Sequence, residues 1–287
     1  MTIEVVDKNK NCIKVGPIKG FSLIKTLECG QCFRTQKTSR GTYIIIAYKR
    51  VIEVWQMADY LYIKNTNVKD VTQIWIHYFD LERDYNNIYC KIGQMENMKE
   101  VIEYSYGIRI LNQDINEVLT AFILSCRNTI QSVSNMIDRL CQKYGNKILY
   151  DNKTFYGFPD LNILSSLNHE DFVEMRFGYR AKYFKDIYSN LIYHSGKYDR
   201  TYFLSLKGIG NKIADCILLH TGLDRSVFPV DVWISRILKE KFQCMSNKYA
   251  EQSNFGKKIF GEYSGYAEIM LFYYARTKRC LFRLRVV

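Results

Sequence analysis

Residues 206–219 read LKGIGNKIADCILL, and this stretch decides how the second half of the chain folds. Two helical segments flank a tight turn in which Gly208 and Gly210 can adopt positive φ and let the backbone approach a bulky group. The helix that begins near Asn211 directs free N–H groups and its positive dipole end at the same place, which indicates an anion site. With Lys207 beside it, we interpret the anion as a nucleic-acid phosphate, although an ordinary turn also explains such glycines.

Lys212 stands in the first turn of that helix. A positive charge there opposes the helix dipole, which favours a carboxylate at this position. We therefore expect a pKa below the ordinary lysine value, and an amine that is neutral more often is a better nucleophile. The position of Lys212 indicates a catalytic amine.

Residues 228–233 read FPVDVW, with Pro229 two places before Asp231. Asp231 precedes an apolar-periodic segment, so its carboxylate is expected to cap a helix. Capping alone explains an aspartate at such a place in most proteins. Beside Lys212, the same carboxylate could also hold the amine and stabilise positive charge that develops on a sugar ring.

The composition limits the possible partners. The chain has 287 residues, 47% of them hydrophobic, and a formal net charge of +12. A basic surface of this kind attracts polyanions, of which nucleic acid is one and anionic membrane another. The first residues lack the apolar core of a signal peptide, and no run of about 18 apolar residues is present. We expect a cytoplasmic, nucleoid-associated protein that does not enter the membrane.

The cysteines and histidines do not form a metal-binding pattern. Nine cysteines are spread over the chain, an odd number that favours reduced thiols over a disulfide framework. Cys29 and Cys32 form a C-x-x-C pair, but no second pair of ligands follows at a suitable spacing, and the four histidines are isolated. We expect no metal ion and no cofactor.

Two regions with different periodicity follow one another. In residues 1–95 the runs TYIIIAYKRVIEVWQ and YLYIKN are typical of strands, with one helix predicted in VKDVTQIWIHYFDL. From residue 96 the pattern is helical. The sequence predicts an α+β protein, with an antiparallel β-sheet domain over 1–95 and a mainly α-helical domain over 96–287.

Helix signals are strongest at the start of the second region. Asp114 is expected to cap a helix, with Glu117 three residues later as in a capping box. In the next helix, apolar residues recur on one side and Gly145 marks the end. That apolar side comprises Ile130, Val133, Ile137, Leu140 and Tyr144.

These motifs together resemble one known family. LKGIGNKIADCILL followed by FPVDVW resembles the helix-hairpin-helix and Gly/Pro…Asp motif of the DNA glycosylase superfamily. CGQCFR, GIRILNQD, RNTIQSVSNMIDRLC, FYGFPDL, GYRAKY and SGYAEIMLF are similar, in the same order, to segments of 8-oxoguanine DNA glycosylases, here of the bacterial Ogg type. The resemblance implies a TBP-like N-terminal sheet domain followed by a helix-hairpin-helix glycosylase domain.

The resemblance also implies a reaction and a substrate. The protein would be a bifunctional glycosylase and AP lyase of base excision repair, acting as a monomer on double-stranded DNA that contains 8-oxoguanine. Lys212 would attack C1′ of a flipped nucleotide and form a Schiff base, and β-elimination would then nick the strand. Asp231 would support the amine. The contacts to the DNA backbone would come from Lys207, Gly208, Gly210 and Asn211.

Six residues would line the base pocket by the same resemblance. Gly30 would present its carbonyl to the N7 hydrogen that 8-oxoguanine has and guanine lacks. Phe272 would stack on the base, although its apolar helical stripe is equally typical of core. Cys216 could likewise be an ordinary buried residue. The predicted pocket comprises Gly30, Cys216, Pro229, Trp233, Glu268 and Phe272.

The opposite strand is where this chain departs from its eukaryotic relatives. Asn128, Tyr179 and Arg180 would fill the gap that the flipped base leaves. Arg127 stands where those relatives have the asparagine, and Ser132 where they have the arginine, that read the orphaned cytosine. Trp233 and Glu268 also replace a histidine and a glutamine. We therefore expect a relaxed preference for the base opposite the lesion, with Arg127 facing it in place of asparagine.

Two other functions fit parts of the pattern. A glycosylase of the same fold could act on another damaged base, such as an alkylated one, but Lys212 argues against a purely hydrolytic enzyme. A non-enzymatic DNA-binding module could use the hairpin alone, but it would not need Lys212 and Asp231 together. The Lys212→Gln change separates enzyme from binder.

Overall fold

The computed structural model describes residues 1–7 and 11–284, with side chains up to residue 278. Its first part is a six-stranded antiparallel sheet. The strands are β1 Thr2–Asp7, β2 Cys12–Gly16, β3 Thr35–Lys37, β4 Tyr43–Ala47, β5 Arg50–Met57 and β6 Tyr60–Lys64. Their order in the sheet is β1-β2-β6-β5-β4-β3. Strands β4 and β5 pair with each other, as their β-branched sequence predicts.

One face of the sheet is covered by a helical segment. This segment runs through Val68–Asp70, a π-helical turn at Val71–Trp75, and Ile76–Tyr78, as predicted. Trp75 is fully buried under the sheet, and its indole N–H donates to Thr66 Oγ1 over 3.1 Å. The sheet thereby has its own apolar core.

The rest of the described chain is mainly helical, which confirms the predicted fold class. Among the described residues no helix is both long and apolar enough to cross a bilayer. Three of the helices carry the site and are named here: the hairpin helix Asn211–Thr221, the Asp231 helix Val232–Phe242 and the pocket helix Ser264–Leu284. The others are Leu23–Glu28 in the first part, then Tyr85–Ile92, Glu96–Ser105, Ile115–Ser125, Ile130–Tyr144, Leu161–Ser166, His169–Glu174, Ala181–Tyr193, Arg200–Ser205 and Tyr249–Phe260, with 3₁₀ turns at Gly178–Arg180 and Gly261–Tyr263.

A second, larger core fills the helical part. It includes residues from before position 95, namely the buried face of Tyr85–Ile92 and the side chains of Cys29 and Phe33. The loop around residue 30 therefore leaves the sheet and packs among the helices. The division at residue 95 stays a prediction.

Local details differ from the sequence expectations in two places. A small hairpin of β7 Lys147–Tyr150 and β8 Lys153–Tyr156 lies within the helical part, around a turn at Asp151 and Asn152 that the helical interpretation missed. The capping box is only half formed. Asp114 accepts from the first-turn N–H groups, but Glu117 lies 3.5 Å from Arg34 and pairs with it.

Candidate active site

The glycine turn has one glycine in the expected conformation and one in another. Gly208 has φ +95°, and a Cβ there would lie 2.6 Å from the ring of Tyr183. Gly210 has φ −99° and is extended, so the expectation of positive φ is wrong for it. Instead Gly210 precedes the hairpin helix, exposed, with open space where a Cβ would stand. The turn packs inward through Gly208 and leaves its backbone accessible at Gly210 and Asn211.

The hairpin helix begins at Asn211 as predicted, and it carries Lys212 into the interior. The Lys212 ammonium lies 5.1 Å from the centre of the Phe122 ring. Phe122 in turn stacks on buried His220, with ring centres 4.9 Å apart and planes 4° from parallel. The Lys212 side chain therefore packs against the Phe122 ring, and Lys212 lines the cavity described below.

Asp231 caps the helix that follows it, as predicted. One carboxylate oxygen accepts from the N–H groups of Trp233 and Ile234, each over 2.8 Å. Burial raises the pKa of Asp231, while the backbone N–H groups and the Lys212 charge act in the opposite direction. Within the described residues, Asp231 and Lys212 interact electrostatically without a direct ion pair. The cap fixes the carboxylate in place and leaves it facing the amine.

The pKa of Lys212 lies above its ordinary value, so the expectation of a lowered pKa is wrong. Burial lowers it, but Cys216, one turn later in the same helix, and the Asp231 carboxylate, from outside the helix, together raise it more. The helix dipole alone therefore does not determine the pKa of Lys212.

A single cavity of about 290 Å³ joins these groups. Its volume is close to the lower end of the range for small-molecule pockets, about 300 to 1,000 Å³, as suits a ligand the size of one purine base. The structure brings together in its lining both predicted catalytic residues, all six predicted pocket residues and Asn128. The lining residues that the sequence predicted are Gly30, Asn128, Lys212, Cys216, Pro229, Asp231, Trp233, Glu268 and Phe272.

Glu268 is buried in this lining at 7% exposure. Burial raises the pKa of its carboxyl well above the ordinary value, and the charge of Asp231 raises it further, while Lys212 lowers it. Burial also raises the pKa of the Cys216 thiol to about 12. Burial thus disfavours the charged forms of Glu268 and Cys216, while Asp231, whose carboxylate accepts two backbone N–H bonds, is the acidic group that those bonds help to keep ionised beside Lys212.

The loop that carries Gly30 is held by side-chain bonds to the backbone. Gln31 donates to the carbonyls of Thr26 and Arg109, over 2.9 and 2.8 Å, and accepts from the Leu111 N–H over 2.9 Å. Gly30 itself has φ +97°. The adjacent cysteines are buried, and burial raises the pKa of Cys29 to about 11. These thiols are part of the loop packing.

The other predicted site residues lie outside the cavity lining. Lys207 and Asn211 are exposed beside the glycine turn. Arg127 is exposed, with φ +55°, between two helices. Tyr179 is 58% exposed, and Arg180 is buried with its guanidinium 4.4 Å from the Tyr179 ring centre. Their predicted roles in DNA contact stay predictions.

The lining also contains residues that the sequence analysis did not assign to the site, among them Phe122, His220 and Arg276. Phe122 and His220 each lie on an apolar helix stripe, which is the pattern of ordinary core, so periodicity gave no signal. Arg276 offered one signal, because it stands four residues after Phe272 and thus on the same face of the pocket helix.

Two family models together match most of this chain. Residues 15–119 match the family model of the 8-oxoguanine DNA glycosylase N-terminal domain, and residues 120–260 match that of HhH-GPD superfamily base excision DNA repair proteins. An N-glycosylase/DNA lyase of Saccharomyces cerevisiae is 27% identical over 261 residues, which cover 79% of this chain and 69% of the relative.

Two solved structures are similar over almost the whole chain. A structure of MBOgg1 with a low-affinity DNA ligand has a TM-score of 0.91 and 36% identity, covering 97% of this chain and all of the other. The Clostridium acetobutylicum 8-oxoguanine glycosylase/lyase, solved with double-stranded DNA containing cytosine opposite 8-oxoG, has a TM-score of 0.90 and 32% identity, with the same coverage. The family models and these two structures show that the chain belongs to the 8-oxoguanine DNA glycosylase family of the HhH-GPD superfamily.

Proposed function

We propose that this protein is a bifunctional DNA glycosylase and AP lyase that excises 8-oxoguanine from double-stranded DNA through a Schiff base on Lys212. The observation that carries the proposal is the meeting of Lys212 and Asp231 in one cavity about the size of a purine. An amine and a carboxylate so placed can form a bond to a sugar carbon and stabilise its positive charge.

The reaction begins with a flipped nucleotide, because C1′ is out of reach within the base stack. The neutral amine of Lys212 attacks C1′, and the bond to the base breaks with its electron pair leaving on the base. The nitrogen, now bonded to C1′, loses a proton as the C1′–O4′ bond breaks and O4′ becomes a hydroxyl, which gives an imine on the opened sugar. Loss of a proton from C2′ then breaks the C3′–O bond, and the 3′ phosphate leaves with that electron pair, which cuts the strand. Since the pKa of Lys212 is raised, the amine must first lose its proton, and the attack accelerates as the pH rises.

The glycine turn and its neighbours supply the contact to the DNA backbone in this proposal. The exposed backbone at Gly210 and Asn211 lies at the start of the hairpin helix, where free N–H groups suit a phosphate. The net charge of +12 supports the same partner. We further propose that the protein acts as a monomer in the cytoplasm, associated with the nucleoid.

The Lys212→Gln variant tests the proposal. We expect it to lose strand nicking while still binding a duplex with one 8-oxoguanine, because the amide keeps the size of the side chain without its nucleophile. Lys258→Gln, which removes the same charge from an exposed site, is the matched control. Nicking that survives in Lys212→Gln, or a wild-type protein that releases no 8-oxoguanine, would contradict the proposal and favour another lesion or a binding module.

The opposite-base preference is tested separately. Arg127 and Ser132 stand where eukaryotic relatives carry the residues that read cytosine, so we expect excision rates opposite C and opposite A within about fivefold, less than one good base contact provides. Single-turnover excision from the two duplexes measures this ratio. A strong preference for C would contradict the relaxed recognition and leave the glycosylase assignment intact.

A further inference from the structure

Arg276 belongs to the same stripe of the pocket helix as two predicted pocket residues. Glu268, Phe272 and Arg276 are spaced by four residues, which places them on one face of a helix. All three line the cavity. The last of these three residues, Arg276, therefore brings a positive charge to the cavity lining.

The contacts of Arg276 place its guanidinium between the Phe272 ring and the loop of Gly30. Its Nη2 donates to the carbonyl of Glu28. Its Cζ lies 5.5 Å from the centre of the Phe272 ring. A Cβ on Gly30 would collide with Arg276 Nη1, so the two residues are in close contact. The guanidinium therefore occupies the side of the cavity where Gly30 meets Phe272.

Arg276 retains unused hydrogen-bonding capacity there. Within the described part of the chain, no carboxylate lies within ion-pair distance of its guanidinium, and the bond to Glu28 leaves Nη1 without a partner. Nor does any described group donate to the Gly30 carbonyl. Gly30 and Arg276 are thus neighbours in the cavity lining, and each keeps unused hydrogen-bonding capacity, a carbonyl acceptor on Gly30 and an N–H donor on Arg276.

We propose that Arg276 is a specificity-determining residue that donates a hydrogen bond to the exocyclic oxygen at C8 of the oxidised base. This inference rests on the proposed function. In 8-oxoguanine an N7–H donor and a C8 carbonyl acceptor are adjacent on the five-membered ring. The Gly30 carbonyl and the Arg276 guanidinium offer the complementary pair. Guanine presents an N7 lone pair and a C8–H on that edge, so it matches neither group in place.

Binding of the base requires a short movement of the guanidinium. A base stacked on Phe272 takes the ring face that Arg276 now covers. The long, half-buried arginine side chain can swing from the ring to the edge of the incoming base while its backbone stays in place. The contact with Phe272 is then replaced by a charge-assisted hydrogen bond, which is the stronger interaction.

The test compares the affinities of three duplexes, which carry 8-oxoguanine, guanine or a tetrahydrofuran abasic analogue at the same position. Arg276→Met is measured in the Lys212→Gln background, so that no turnover occurs. We expect about a tenfold loss of affinity for the 8-oxoguanine duplex, since a hydrogen bond to a charged group contributes at least that much, and no loss for the tetrahydrofuran duplex. Arg236→Met is the matched control, because Arg236 also lies 5.5 Å from an aromatic ring, that of Trp233, but does not line the cavity.

Two results would overturn the inference. If Arg276→Met loses the same affinity for the 8-oxoguanine and tetrahydrofuran duplexes, Arg276 contacts a phosphate rather than the base. If the variant binds every duplex with a base more tightly than its parent, the Arg276 side chain only blocks the cavity. Should Arg276→Met fail to fold in a melting experiment, Arg276→Lys is expected to give a smaller loss that still depends on the base. Excision of 8-oxoguanine by the wild type is measured in parallel. If it is present while Arg276→Met binds normally, only the role of Arg276 is rejected, and if it is absent, the proposed function is rejected.

Discussion

Asp114 and Asp231 cap two helices with nearly the same geometry, yet they face different surroundings. Asp114 accepts from the N–H groups two and three residues later over 2.9 and 3.2 Å, and Asp231 does the same over 2.8 Å each. Burial raises the pKa of both carboxyls. As local structures, the two caps are equivalent.

The side chains that surround Asp114 and Asp231 differ. Asp114 lines a separate cleft of about 200 Å³ together with Lys49 and Asp160, which form an ion pair with each other. Asp231 faces the amine of Lys212, which has no such partner among the described residues, across the purine-sized cavity. Of the two caps, only Asp231 faces an amine without an ion-pair partner in the described part of the chain, and under the proposed function only Asp231 is expected to take part in the chemistry.

The largest expected effect is a loss of excision activity, which we expect on changing Asp231 but not on changing Asp114. Asparagine caps a helix about as well as aspartate, so Asp231→Asn keeps the fold but removes the charge that faces Lys212. We expect single-turnover excision of 8-oxoguanine to fall by about 10²- to 10³-fold, as for the loss of one transition-state contact. Asp114→Asn is the matched control and should excise near the wild-type rate. Similar rates for the two variants would show that the surroundings of Asp231 are not catalytic.

A second prediction concerns the neutral carboxyl beside Asp231. Because the pKa of Glu268 is raised by folding, its proton is held in the folded chain and lost in the unfolded chain at neutral pH, so wild-type stability falls as the pH rises above about 4.3. Glu268→Gln removes this dependence. We expect its stability relative to the wild type to grow between pH 5 and pH 8, by at most about 1.4 kcal/mol per pH unit. Melting curves across that range measure it, and a difference independent of pH would mean that Glu268 is ionised.

The smallest expected effect is on stability alone. Asp114→Ala removes a helix cap and should lower the free energy of unfolding by about 1 kcal/mol. Excision, measured below the melting transition, should stay close to the wild-type rate. Chemical denaturation checks the first value. A large loss of activity at unchanged stability would place Asp114 in the site and remove the contrast between the two caps.

The sequence predicted much of this structure because its signals are local. The strands around the basic turn, the start of the hairpin helix at Asn211 and both capping aspartates follow from residue type and spacing. Resemblance to a family then supplied the pocket residues, which lie far apart in the chain and which spacing alone could not bring together.

What could not be predicted depends on tertiary neighbours. The pKa of Lys212 depends on Cys216, one turn later in the same helix, and on Asp231, which the fold brings from outside that helix. Glu117 pairs with Arg34 from the sheet region instead of closing a capping box. Arg276 lies beside the loop of Gly30, which comes from the other end of the chain. The contacts with Asp231, Arg34 and Gly30 all join segments that are distant in sequence.

The most direct test of the account is borohydride trapping on a duplex with one 8-oxoguanine, with an undamaged duplex as the control. We predict a covalent adduct of protein and damaged DNA, because borohydride reduces the imine between Lys212 and the sugar. The adduct should be absent in Lys212→Gln and scarce in Asp231→Asn, but present in Asp114→Asn. Base release without any adduct, or an adduct that persists in Lys212→Gln, would contradict the assignment of Lys212 as the nucleophile.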